Sequence, residues 1–139
     1  MGQQQLLLLV IGVLVVGVAV MAGLFAVQDQ LKKNQADNLV SRNLEIASAA
    51  VMWKIKYDPY VGGNGSYSTL NSNGFSKIFM SDETDDASYA LTSPAPQELE
   101  VTGVSKKWPE IGARTYVLGY DVVSTDVKYD GTYTITPTP

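Results

Sequence analysis

From Leu6 to Val27 the chain reads LLLLVIGVLVVGVAVMAGLFAV, without a charge, a proline or a strong hydrogen-bonding side chain. At ~1.5–3 kcal/mol for each large aliphatic or aromatic side chain, exposing this run to water would cost on the order of tens of kcal/mol. As a helix rising ~1.5 Å per residue it is roughly 33 Å long, enough to cross the ~30 Å hydrocarbon layer of a bilayer. It therefore belongs in lipid or in the core of an assembly. The residues ahead of it, Met1, Gly2 and Gln3 to Gln5, include no basic side chain. The run is longer than a signal-peptide core and leads into more helix instead of a small-residue cleavage site, so it is expected to be retained. Gly12, Ala19 and Gly23 fall close to one line along the helix, and Gly17 opens a second gap. Helix-interior glycines cost about 1 kcal/mol each relative to alanine, and close helix packing through such small-residue gaps would offset that cost.

After Val27 the composition changes to QDQLKKNQADNLVSRNLEIASAAVMWKIKYDP, with no glycine or proline before Pro59. Leu31, Leu39, Val40, Leu44, Ala47, Val51 and Ile55, with Ile46 and Ala50 beside them, recur at helical spacing, while Asp29, Lys32, Lys33, Asp37, Arg42, Glu45 and Lys54 fall mostly on other faces. The pattern predicts one helix from about Gln3 to Tyr57, stopped by Asp58-Pro59 because a residue before proline is pushed away from helical angles. Tyr60 to Ser76, dense in Gly, Asn and Ser, reads as a loop. Lys77 to Met80 reads as a short strand, Ser81 to Asp86 as an exposed acidic loop, and Ala87 to Thr92 as a strand closed by Pro94 and Pro96. Alternation in Glu98 to Val104 and in Arg114 to Ser124 predicts two more strands, and Val127 to Thr136 a last one, bent at Asp130-Gly131. The expected fold is α+β: a long N-terminal helix whose amphipathic half packs on a C-terminal antiparallel sheet. Its parts are an apolar stalk or transmembrane helix over 1–28, an amphipathic continuation over 29–58, and a β-rich head over 59–139.

Composition narrows the chemistry. The chain has 139 residues and a net charge of −4, with no histidine and no cysteine. It therefore lacks disulfides, the usual zinc ligands, and the histidine of Ser-His-Asp or Cys-His catalysis. Scattered Lys and Arg form no basic stripe for nucleic acid. No residue spacing points to an enzyme, and no cofactor is expected. Asp82, Glu83, Asp85 and Asp86 offer oxygen ligands to a metal such as calcium, but without the loop pattern of a known site, and a solvated acidic loop is the simpler reading. Asn64-Gly65-Ser66 is an acceptor triplet for N-glycosylation in a surface loop.

The short polar start Gly2-Gln3-Gln4-Gln5, the apolar run, the seamless amphipathic extension and the C-terminal β head together resemble a type IV pilin or pilin-like filament subunit. Gly2-Gln3 is similar to the Gly-Gln boundary of archaeal-type prepilins, where the prepilin peptidase cuts on the cytoplasmic side of the apolar segment; cleavage before Met1 and cleavage after Gly2 both fit. Bacterial pilins carry a methylated first residue and a glutamate fifth that pairs with a neighbour's N-terminal amine. In this chain Met1 is first, but Gln5 stands in the acidic position and offers a hydrogen bond instead of an ion pair. The helix-breaking proline of bacterial stalks is also absent.

The resemblance implies a homopolymer built through the N-terminal helices, with Met1, Gln5, Gly12, Gly17, Ala19 and Gly23 as assembly residues. It further implies a membrane-held precursor, handling by the pilus assembly machinery, and an extracellular filament whose heads make adhesive or surface contacts. Two alternatives stay open. One is a single-pass, membrane-anchored extracytoplasmic binding protein that never polymerises. The other is a minor pilin or secretion pseudopilin. Lys32 and Lys33, just past the run, lean toward a cytoplasmic head under the positive-inside tendency and so against the pilin orientation.

Overall fold

The computed structural model describes residues 2–60, 62–71 and 74–135. The fold is α+β. Helix α1 (Gly2–Ile55) is followed by a 3₁₀ turn (Ser68–Asn71), a one-turn helix α2 (Gly74–Lys77), and strands β1 (Ala87–Thr92), β2 (Glu98–Ser105), β3 (Gly112–Leu118) and β4 (Asp121–Lys128). The chain divides into two compact units, residues 1–34 and 35–139. The first consists of helix; the second holds the rest of α1, the two short helical turns and the sheet.

In the second unit α1 buries Ala36, Leu39, Asn43, Ile46, Ala47, Ala50, Trp53 and Lys54. These positions recur at threes and fours, as one face of a helix must. The face is displaced from the one expected. Leu31, Leu44 and Ile55 are 44%, 39% and 53% exposed, while Leu39, Ile46, Ala47 and Ala50 are buried as expected and Ala36, Asn43, Trp53 and Lys54 join them. Periodicity weighted by side-chain size points to the leucines. The sheet packs on the line of small residues, over which a backbone approaches most closely. Asn43 exploits that approach: its side-chain amide donates to the carbonyl of Ala113 at 3.1 Å, linking α1 to β3.

The sheet is an antiparallel meander in the order β1-β2-β3-β4. Registers such as Tyr89↔Gly103, Gly103↔Ala113 and Leu99↔Val117 place Tyr89, Leu99, Val101, Ala113 and Val117 in the core with the α1 stripe. Gly103 is required where it stands, because a Cβ there would lie 2.8 Å from the Tyr89 ring and 2.9 Å from Asn43 Oδ1.

Three expected strands differ from those observed. Lys77 to Met80 is not a strand: α2 ends at Lys77 and the chain turns through Phe79 in left-handed backbone, φ 57°. Arg114 to Ser124 is two strands, reversed at Gly119-Tyr120 with Gly119 at φ 66°, the first-position glycine of a type II′ hairpin. The last strand ends at Lys128, and residues 129–135 are not a strand; they bend at Gly131, and Tyr133 donates to Asp126 at 2.7 Å. Thr136, the expected end of that strand, lies outside the described residues.

The C-terminus of α1 leaves carbonyls without partners inside the helix. The glycine-rich loop supplies them: Gly63 N donates to Trp53 O at 2.9 Å, Asn64 N to Lys56 O at 3.1 Å and Gly65 N to Lys54 O at 2.9 Å. At two positions the approach leaves no room for a Cβ. At Gly62 a Cβ would sit 2.3 Å from the Lys56 carbonyl oxygen, and at Gly63 2.6 Å from the Trp53 ring. Gly62→Ala is accordingly expected to destabilise the head by at least the ~1–3 kcal/mol of overpacking, because the obstructing atom is backbone. Gly12→Ala, with nothing within 4 Å of its Cβ position, should leave the melting temperature of the detergent-solubilised full chain unchanged or slightly raised. Parallel thermal melts of the two variants check this.

Candidate functional site

The residues expected to act in assembly lie on the first unit of α1. From Gly2 through Leu31 every described residue is exposed, including Leu8 at 69%, Val18 at 68% and Phe25 at 60%. Gly12, Gly17 and Gly23 have no heavy atom within 4 Å of where a Cβ would be, and Ala19 is likewise exposed. On one helix Gly12, Ala19 and Gly23 share a side, so they form a shallow groove edged by valines and leucines. Gln5 lies in the first part of the helix, where no acidic side chain meets the exposed backbone amides. Met1 lies outside the described residues. The helix is long and apolar enough to cross a membrane.

The acidic loop makes its own contacts. Glu83 pairs with Lys106 at 2.6 Å, Ser81 Oγ donates to the Glu83 carbonyl at 2.7 Å, and the Asp86 carbonyl accepts from Lys106 N at 2.9 Å. Among the described residues no group of three or more acidic, histidine or cysteine side chains converges on a point. Asp82, Glu83, Asp85 and Asp86 face solvent instead.

Asn64 is exposed at the tip of a tight turn, with φ 51° followed by Gly65 at φ 82° and the turn closed by Ser66 N to Gly63 O at 3.0 Å. This is the Asn-Gly geometry of a type I′ turn. Its partner in the acceptor triplet, Ser66, holds its hydroxyl 2.8 Å from that of Ser68.

Two arrangements in the head were not foreseen. Lys54, counted among the exposed charges, is fully buried. Its ammonium donates to Gln97 Oε1 at 2.8 Å and to the Gly119 carbonyl at 3.1 Å, and lies 4.5 and 4.4 Å from the ring centres of Tyr67 and Tyr120. The Tyr67 hydroxyl donates to the same carbonyl at 2.7 Å. One lysine thus ties the end of α1, the loop after it and the β3–β4 hairpin together, with two rings standing in for the missing counter-charge. Burial lowers the Lys54 pKa from its ordinary value and pushes that of Tyr67 up to about 12. The second arrangement is a cavity of about 440 Å³ beside the α1 C-terminus, with Trp53 in its wall and Tyr60 and Phe79 at its edge. No periodic pattern marks it, since it is assembled from a loop, a helix end and a turn.

The chain matches no protein-family model, no curated protein and no solved structure. The functional reading therefore rests on the fold and these sites.

The lysine–tyrosine cluster has a measurable pH signature. Tyr67 ionises near 10 in the unfolded chain and near 12 in the fold, so the stability it contributes is full below pH 10 and is lost as pH rises from 10 to 12. The loss should amount to about 2–3 kcal/mol. Lys54 acts in the opposite sense: its lowered pKa makes stability rise with pH until 10.5. Denaturant titrations between pH 9 and 12 should show the decline above pH 10, and Tyr67→Phe should make that decline shallower.

Proposed function

We propose that this chain is the structural subunit of an extracellular helical filament of the type IV pilus kind. Its apolar helices form the core, and its heads face solvent. The observation that carries the reading is the apolar run itself: Leu6 to Val27 is exposed throughout, and no residue of it enters the hydrophobic core of the head. A surface of that size has two stable environments, lipid and other copies of itself. Moving from one to the other exchanges one apolar medium for another and needs little net hydrophobic free energy. A subunit can therefore be stored in the membrane and extracted into a polymer without passing through water.

Small-residue gaps then set how closely helices nest. Where every surface is equally apolar, association depends on packing and not on exclusion of water, and Gly12, Gly17, Ala19 and Gly23 admit a neighbour's side chains. Repeated head-to-tail contacts that do not close produce an open helix of subunits. The head's own α1 segment offers further contact surface, since Leu44, Met52 and Ile55 lie eight and three residues apart on the side away from the buried stripe and are 39%, 67% and 53% exposed. The prepilin peptidase and assembly machinery belong to this reading through the resemblance alone.

Negative-stain microscopy of material sheared from cells producing the chain should reveal thin filaments composed of it. Gly12→Leu and Gly23→Leu should each abolish filaments while leaving the protein in the membrane fraction. Chain found only as detergent-soluble monomer would instead identify a membrane-anchored head. Unaltered filaments in the leucine variants would remove close packing as their basis.

A further inference from the structure

The cavity beside the C-terminus of α1 is not used by the filament reading, and its construction is unusual in one respect. After α2 the chain closes with Met80 N donating to Phe75 O at 2.9 Å and Phe79 N to Ser76 O at 3.3 Å. This six-to-one closure requires left-handed backbone at the residue following the helix, a position that glycine fills most easily. The chain places Phe79 there, at φ 57° and 79% exposed. A bulky residue in that region is a conformational outlier, and such strain persists where it serves a site. The turn itself does not need an aromatic ring, so the ring must be wanted for its own sake.

A second ring stands at the same cavity. Tyr60 is 94% exposed, placed by the Pro59 turn that Asp58 closes by accepting from Tyr60 N at 2.9 Å. The remaining edge is polar and largely uncharged: Asn64, Thr69 and Ser76 are exposed on it, and the one cation, Lys77, is engaged with the Thr69 carbonyl. The loop that carries Asn64 is held by its backbone bonds to the end of α1, so the site is formed before any ligand arrives. At about 440 Å³ it falls within the ~300–1,000 Å³ range of small-molecule sites.

We infer that this cavity binds a neutral saccharide. A pyranose presents an apolar C–H face, which stacks on an exposed aromatic ring, and a rim of hydroxyls, which pair with amide and hydroxyl side chains. Tyr60 and Phe79 supply the first surface; Asn64, Ser76 and Thr69 supply the second. An apolar ligand would cover the Ser76 and Thr69 hydroxyls and the Asn64 amide, which holds only a long 3.5 Å bond to Asp58 O, without offering them partners, and among the described residues an anionic one would find no disengaged ammonium in the wall. The inference does not rest on filament formation and applies equally to a head on a single membrane anchor.

The test uses the full chain in a zwitterionic, sugar-free detergent, titrated with free oligomers of neutral hexoses, N-acetylhexosamines and hexuronates. Trp53, in the cavity wall, serves as fluorescent reporter. A neutral or N-acetylated class should bind, and Tyr60→Ala and Phe79→Gly should each weaken it at least tenfold. Phe79→Gly should melt at or above the wild-type temperature because it relieves the left-handed strain, which separates a binding defect from misfolding. Binding of none of the three classes, of hexuronates alone, or equally by both variants overturns the inference. So does loss of self-association in these variants without any saccharide response, which would make the aromatic edge a contact between copies. Saccharide binding by a chain that forms no filaments would leave this site standing and remove only the polymer.

Discussion

An α-helix satisfies its own backbone but not its side chains, and α1 illustrates the consequence on a single element. Over Gln35 to Ile55 its side chains find a sheet; over Leu6 to Val27 they find nothing within the fold. The free energy of exposing the latter run is larger than the ~5–15 kcal/mol by which a small domain is stable, so no rearrangement of the head offsets it. The environment of the first unit is therefore set from outside the chain. That constraint orders everything else: it calls for an apolar environment around the first unit and obliges the head to fold by its own contacts.

The head meets that obligation economically. Its layer of α1 against a four-stranded meander mixes Leu39, Ile46, Leu99, Val101 and Val117 with small residues, Ala47 and Ala50 on the helix and Gly103 on the sheet. Gly103 leaves room for Asn43, whose side-chain amide donates to Ala113 O inside the core. Lys54 is the extreme case. A buried ammonium is costly unless its hydrogen-bonding capacity is met, and two acceptors and two rings meet it. Because those partners come from the β1–β2 connection, the β3–β4 hairpin and the loop after α1, the cost of desolvating one cation is coupled to the correct closure of these three segments on the helix end. A wrongly docked hairpin would leave the charge unpaired.

How much of this was legible in the sequence depends on how local the cause is. The long helix, its division into apolar and amphipathic halves, and β1 and β2 follow from composition and alternation in contiguous residues, and they stand as read. The identity of the buried face followed only in part: Leu39, Ile46, Ala47 and Ala50 are buried as expected, but hydrophobicity also assigns Leu31, Leu44 and Ile55 inward and passes over Ala36, Asn43, Trp53 and Lys54. The β3–β4 reversal was missed although Gly119-Tyr120 is a two-residue hairpin signal, since unbroken alternation across RTYVLGYDVVS outweighed a single glycine. The acidic residues 82–86 are adjacent in sequence, and adjacency alone does not make ligands converge. Lys54 depends on Gln97 and Gly119, 43 and 65 positions away, and the aromatic cavity on a helix end, a loop and a turn spread from Trp53 to Phe79, so no periodic window along the chain contains their cause.

Glycine has opposite meanings in the two units, and that difference separates folding from assembly. At Gly62, Gly63 and Gly103 the space a side chain would need is already occupied by this chain's own atoms; at Gly12, Gly17 and Gly23 it is empty. In the first group the absent Cβ is explained by the fold, as a carbonyl, an indole or a phenol ring presses on the backbone. In the second group the fold offers no explanation, and a helix that gave up its most favourable residues without return would be less stable at each such position by about 1 kcal/mol. In the filament proposed above, that return lies in a contact made after folding. A lipid bilayer gains nothing from a groove, because fluid chains fill rough and smooth surfaces alike. A rigid neighbour with its own ridges does gain, since interdigitation recovers dispersion contacts that a smooth cylinder forfeits. The empty space along the first unit therefore favours another helix as occupant over lipid, and a second copy is the helix always present at the same concentration.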